Sequence, residues 1–210
     1  MLRKYLILFF MSLILSSVIY GEELQGQNNI LIAYFTWADN TIIANPELVD
    51  VDAVTSASVL DPGNVARMAS WIQKETGGNM FSIQVIEPYS SDYDECLNRA
   101  ANEKADSSRP ALKAKVENLG NYDTIFLGYP NWWYTAPMAI FSFIEENDLA
   151  NKKIVLFCSH GTGGVARSVR DIRGALPETA RVERNVLGIY RDDIPTGEER
   201  VKNWLSTIGY

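Results

Sequence analysis

Short apolar runs alternate with amphipathic stretches along most of the chain. Residues 30–35, Ile-Leu-Ile-Ala-Tyr-Phe, form the first such run of the folded part and predict a buried strand. Residues 64–76 place Val65, Met68, Ala69 and Ile72 on one helical face, and Gly77-Gly78 stops the pattern. Apolar runs at 80–86, 124–128, 154–158 and 182–190 predict four more strands, the first of these ended by Pro88. Between them, 92–119 reads as polar and helical in pieces, with a break at Arg109-Pro110. Residues 137–146, 164–176 and 197–208 predict helices. Strands this apolar need cover on both faces, so the pattern predicts an α/β fold: a five-stranded parallel sheet between helical layers. One stretch breaks the rhythm. Residues 36–63 are long and polar, and a loop of that length in a compact domain is usually functional.

The amino terminus follows a different pattern. Arg3 and Lys4 precede an almost continuous apolar run at 5–20, and charge returns at Glu22 and Glu23. That is the layout of a secretory signal peptide. The expected organisation is a signal peptide at 1–21 and one folded domain at 28–210, exported to the periplasm or secreted. If the leader is left uncleaved, the same run approaches the minimum length of a membrane anchor, and the membrane becomes a partner only in that case.

The formal net charge of −7 argues against nucleic acid as a partner, because phosphate backbones require a basic face. Cys96 and Cys158 are the only cysteines. They make no disulfide framework and no metal spacing; two isolated thiols, or a single bridge after export, both remain open. Asp50 and Asp52 lack a third ligand in register and read as a solvated face. His160 is the sole histidine, and no Gly-x-Ser-x-Gly elbow accompanies it, so it reads as a packing or hydrogen-bonding group rather than a catalytic one. No catalytic residue and no metal ligand is assigned.

In open parallel sheets, ligands sit outside the carboxyl ends of the strands, where the strand order reverses. Three segments at those ends stand out: Thr36-Trp37-Ala38-Asp39-Asn40-Thr41, Tyr129-Pro130-Asn131-Trp132-Trp133-Tyr134, and Ser159-His160-Gly161-Thr162-Gly163-Gly164. The last formally matches a dinucleotide fingerprint, Gly-x-Gly-x-x-Ala, but it follows the fourth strand, and no acidic residue ends the next one.

With these loops in place, residues 30–209 resemble the flavodoxin-like family. The resemblance implies strand order 2-1-3-4-5, helices on both faces, and bound FMN. Family members open the first helix with hydroxyl-x-hydroxyl-Gly-Asn-Thr directly after the first strand. Here that opening reads as split, with Thr36, Trp37 and Ala38 as one half and Gly63, Asn64 and Val65 as the other, around an insertion at about 38–62. Alternatively 36–41 is the whole loop, with Asp39 in the glycine position. Val65 lacks the family's hydroxyl, which Thr41, Ser56 or Ser58 could restore.

The resemblance implies that the split loop holds the phosphate on free helix-start N–H groups. It implies that the flavin ring lies between the aromatic loop (Pro130, Asn131, Trp132, Trp133, Tyr134) and the glycine loop (Ser159, His160, Gly161, Thr162, Gly163, Gly164). Trp133, ahead of Trp132, is expected to cover the ring. An apolar, acidic surrounding would disfavour the reduced anionic flavin. The implied function is an FMN-binding redox protein, either an electron carrier or a small flavin-dependent reductase. Its partner would be a redox protein or a small-molecule electron acceptor. The alternative is an exported binding module of the same fold that has lost the flavin.

Overall fold

The computed structural model describes residues 29–210, apart from the side chains of 55–57. The leader at 1–21 lies outside the described residues. Among those described, no helix is long and apolar enough to cross a membrane.

Strands β1 (Ile30–Tyr34), β2 (Asn79–Ser82), β3 (Thr124–Pro130) and β4 (Lys153–His160) pair in parallel in the order β2-β1-β3-β4. Two short strands, β5 (Arg181–Val182) and β6 (Leu187–Tyr190), then pair successive parts of the same edge of β4. The fold is the expected flavodoxin-like α/β sandwich, with the fifth strand interrupted. Glu183 makes the interruption: its Oε1 accepts from the N–H groups of Arg184 and Asn185, at 2.7 and 3.1 Å. The Trp204 indole N–H donates to the Asn185 carbonyl. Those hydrogen bonds, led by that from Asn185, hold the Glu183 carboxyl below its ordinary range.

Alternate residues of each central strand enter opposite cores, as strand geometry demands. Ile32, Phe126, Val155 and Phe157 face α2 (Asn64–Thr76) and α6 (Glu198–Thr207). Leu31, Ala33, Ile125, Leu127, Ile154 and Leu156 face the other layer. That layer holds α1 (Val51–Ala57), α3 (Tyr93–Ala105), α4 (Met138–Glu146) and α5 (Ser168–Ala175). Gly128 is required by this packing, since a Cβ there would lie 2.1 Å from the Phe157 ring.

Several elements differ from the sequence expectation. The second strand ends at Ser82 rather than 86, and Val85 instead bridges Leu112. The polar stretch 92–119 contains one long helix, α3, followed by irregular chain. The 36–63 stretch contains a helix, α1. Asp50 and Asp52 are exposed, in keeping with the solvated face read from sequence, and Asp50 also caps α1 by accepting from the Asp52 N–H. Helix α5 starts at Ser168 rather than Gly164, after a run of turns. Cys96 and Cys158 are both buried free thiols.

Candidate functional site

The carboxyl ends of β1, β3, β4 and β6 surround a cavity of about 310 Å³, close to the lower end of ordinary ligand pockets.

The two halves of the split first loop meet at its edge. Gly63 adopts φ 65°, ψ 155° immediately before α2, and a Cβ there would lie 2.3 Å from Thr36 Oγ1. The first turn of α2 therefore opens beside Thr36. Ser58, in the insertion, accepts from the Asn64 N–H through its Oγ at 2.8 Å, so a hydroxyl stands at this helix start. The other hydroxyl candidate with a described contact, Thr41, is used elsewhere, donating to the Tyr89 carbonyl. Val65 is buried in the α2–α6 core. Residues after Trp37 turn away from the cavity: the buried Asn40 amide donates to the carbonyls of Thr36 and Ile83 and accepts from the Val85 N–H. Asp39 is bound by the Ser82 hydroxyl at 2.5 Å and is absent from the cavity wall. Helix α2 begins at Asn64, and 38–40 is a short 3-10 turn.

The aromatic loop is a tight turn. Trp132 and Thr135 exchange two backbone hydrogen bonds, at 2.9 and 3.0 Å, with Trp133 and Tyr134 between them at φ 50° and 66°. Two left-handed residues at the centre define a type I′ geometry, which normally calls for Asn or Gly. Placing aromatic residues there costs on the order of 1–2 kcal/mol each. The surroundings hold them: the Trp133 indole N–H donates to the Leu97 carbonyl, Lys104 Nζ donates to the Trp133 carbonyl, and the Arg167 N–H donates to the Tyr134 carbonyl. The three aromatics do not play one role. Trp132 packs edge-on against Phe35, Tyr89 and Trp37, with centroids 5.4, 5.3 and 6.2 Å away, and is part of the floor. Trp133 and Tyr134 are the exposed pair.

The glycine loop leans on the aromatic one. The Asn131 N–H donates to the Ser159 carbonyl, and its side-chain Nδ2 donates to the Gly164 carbonyl. A Cβ on Gly163 would lie 3.3 Å from the Tyr134 ring. His160 hydrogen-bonds the Gly161 carbonyl through Nδ1 and packs beside Gly188 and Tyr190. Asn131 Oδ1 is buried and has no hydrogen-bond partner among the described residues. A buried acceptor left so costs about 1–3 kcal/mol unless a ligand or water supplies a donor.

Of the residues assigned from sequence, the cavity wall includes Thr36, Trp37, Asn64, Val65, Pro130, Asn131, Trp132, Trp133, Tyr134, Ser159, His160, Gly161, Thr162 and Gly163. Ala38, Gly63 and Gly164 stand behind it, shaping the loops rather than lining them. Residues not anticipated also contribute. Tyr93, Cys96, Leu97 and Ala100 of α3 form one wall, and Arg191 follows β6. Burial pushes the Cys96 thiol up to about 12, so it is a neutral group at physiological pH. Among the described residues, no Asp or Glu lines the cavity.

The chain resembles proteins of known structure over most of its length. A protein from Bacteroides eggerthii classed as a flavoprotein shares 29% identity, with a TM-score of 0.63 over 86% of this chain and 98% of its own. A Bacteroides uniformis protein classed likewise shares 26%, with a TM-score of 0.61 over 84% and 97%. A flavoprotein from Lactobacillus acidophilus, in complex with FMN, shares the fold at 17% identity and a TM-score of 0.56, over 83% and 97%. No curated protein sequence matches the chain. The family model described as Flavodoxin matches residues 53–208, nearly three quarters of the chain and every strand except β1. On that match, and on a sheet ordered β2-β1-β3-β4-β5, the chain belongs to the flavodoxin family.

Proposed function

We propose that this chain is an FMN-binding redox protein, either an electron carrier or a small flavin-dependent reductase, that works outside the cytoplasm after removal of its leader. Its partner is a redox protein or a small-molecule electron acceptor. The observation that carries the reading is the cavity itself. A helix start flanked by two hydroxyls and an exposed aromatic turn converge on one space with, among the described residues, no carboxylate in its wall.

The residues fit the group. In the first turn of α2, N–H groups have no acceptor within the helix, and the helix dipole favours negative charge there. With Thr36 and Ser58 they would hold the phosphate. Trp133 and Tyr134 would cover the ring, a contact worth about 0.5–1.5 kcal/mol beyond area burial. The neutral Cys96 thiol and the aromatic floor would exclude water from its far side. The flavin supplies reversible one- and two-electron chemistry; the protein binds it, orients it and sets its potential. Apolar walls disfavour a reduced anionic ring, and the described lining adds no carboxylate to repel it.

The test is the visible spectrum and fluorescence of FMN titrated into the purified domain. Binding should shift the absorption bands and quench the fluorescence. A protein that leaves both unchanged is a flavin-free binding module instead.

A further inference from the structure

Arg191 is the one permanently charged side chain in the cavity wall among the described residues, in a chain whose formal charge is −7. It enters from a particular side. It opens a 3-10 helix, Arg191–Thr196, that contacts α1 and α2 as well as β4, β6 and α6, and it lines the same cavity as Thr36, Ser58 and Asn64. The exposed aromatic turn is tied instead to α3, through Leu97 and Lys104. Gly161 makes room for the guanidinium: a Cβ there would lie 3.3 Å from Arg191 Nη1. The side chain is 30% exposed, and among the described residues its only ion pair is with Asp192, 3.6 Å away and 66% exposed. Such a pair is weak in water and leaves most of the five N–H donors of the guanidinium for another acceptor.

We infer that Arg191 is the counter-charge for the phosphate dianion of the bound flavin nucleotide, and so discriminates FMN from unphosphorylated flavin. This rests on the FMN reading above. The planar guanidinium fork matches phosphate oxygens, and a hydrogen bond between two charged groups is roughly twice as strong as a neutral one. It compensates for Val65, which offers the phosphate no hydroxyl. The last strand, and not only the first, then contributes to the phosphate site.

The experiment compares the parent with Arg191→Gln, Arg191→Lys and Asp192→Asn, titrating FMN and riboflavin at low and high salt. Melting curves with inorganic phosphate are recorded alongside. In Arg191→Gln, FMN affinity should fall by about 10- to 100-fold, the range for losing a hydrogen bond to a charged group. Riboflavin affinity should stay where it was. Arg191→Lys should recover part of the loss, and Asp192→Asn should bind FMN as well as the parent or better. Salt should weaken FMN binding to the parent more than to Arg191→Gln. Inorganic phosphate alone should raise the melting temperature of the parent and not that of Arg191→Gln. Equal losses for FMN and riboflavin, or an unchanged FMN affinity, would overturn the inference while leaving the FMN reading intact. Failure of the parent to bind FMN would overturn both.

Discussion

Replacing Gly63 with alanine strains the loop junction in two independent ways. Its backbone, at φ 65° and ψ 155°, lies in a region essentially reserved for glycine, and forcing another residue there costs about 1–3 kcal/mol. The new Cβ would also lie 2.3 Å from Thr36 Oγ1, 3.2 Å from the Ala38 Cβ and 3.3 Å from the Ser58 carbonyl oxygen. Overpacking of that kind costs a further 1–3 kcal/mol or so. Together these give about 2–6 kcal/mol. For a domain of this size each kcal/mol moves the melting temperature by roughly 2–4 °C, so a fall of at least about 4 °C is expected. Because relief of the clash pushes Thr36 away from the start of α2, FMN affinity should fall as well. The control is Gly174→Ala inside α5, where no atom lies within 4 Å of the added Cβ. Helix propensity there should add about 0.5–1 kcal/mol. Thermal melts and FMN titration of both variants make the assay. If Gly63→Ala melts with the parent and binds FMN equally well, the two halves of the loop are not coupled as described.

Four further outcomes follow from other parts of the structure. Trp132→Ala should cost about 3–5 kcal/mol in denaturant unfolding, as expected for a large ring packed into an aromatic floor; a neutral result would move Trp132 out of the core. Tyr134→Gly should hold or raise the melting temperature, because glycine tolerates φ 66°, while weakening FMN; a large loss of stability would show that the ring supports the fold. Burial raises the Asp39 carboxyl above its ordinary 3.8, with Asp61 adding to the rise and the Ser82 and Tyr34 hydrogen bonds opposing it. The native state thus keeps this proton to higher pH than the unfolded chain, and its stability falls as pH rises through that window. Asp39→Asn should therefore melt higher than the parent near neutrality and lose the advantage in acid; an equal difference at both pH values would contradict the assignment. Finally, mass spectrometry of protein from the native host should find a mature start between Gly21 and Leu24, and an intact Met1 in a cytoplasmic fraction would exclude export.

The sheet was legible because its strands are buried on both sides and read as continuous apolar runs. Its fifth strand read as one run because Val182 and Leu187 are both apolar; the break depends on the Glu183 side chain folding back onto its own backbone, which periodicity does not encode. The aromatic and glycine loops stood out by composition alone. The left-handed turn at Trp133 and Tyr134 did not, since nothing in Trp-Trp-Tyr asks for positive φ; contacts from α3 and from Arg167 impose it. The α3 wall stayed hidden because Cys96 and Ala100 are the buried stripe of an otherwise polar helix. Arg191 stayed hidden because its place in the cavity comes from how a 3-10 helix docks, and only its position after a strand hinted at it. Ser58 was visible only as one hydroxyl among four in the insertion.

The broken outer strand also governs how this protein behaves beside copies of itself. An open sheet edge is a template for another chain, and its hazard grows with the length of flat, unpaired backbone. Here the outer rim is divided into pieces of two and four residues, β5 and β6, by a segment with its N–H groups turned inward to Glu183. A neighbouring molecule is offered no run long enough to extend the sheet. Glu183→Ala would free those two N–H groups at the rim, so the same carboxylate that interrupts the strand also guards against intermolecular pairing at high concentration.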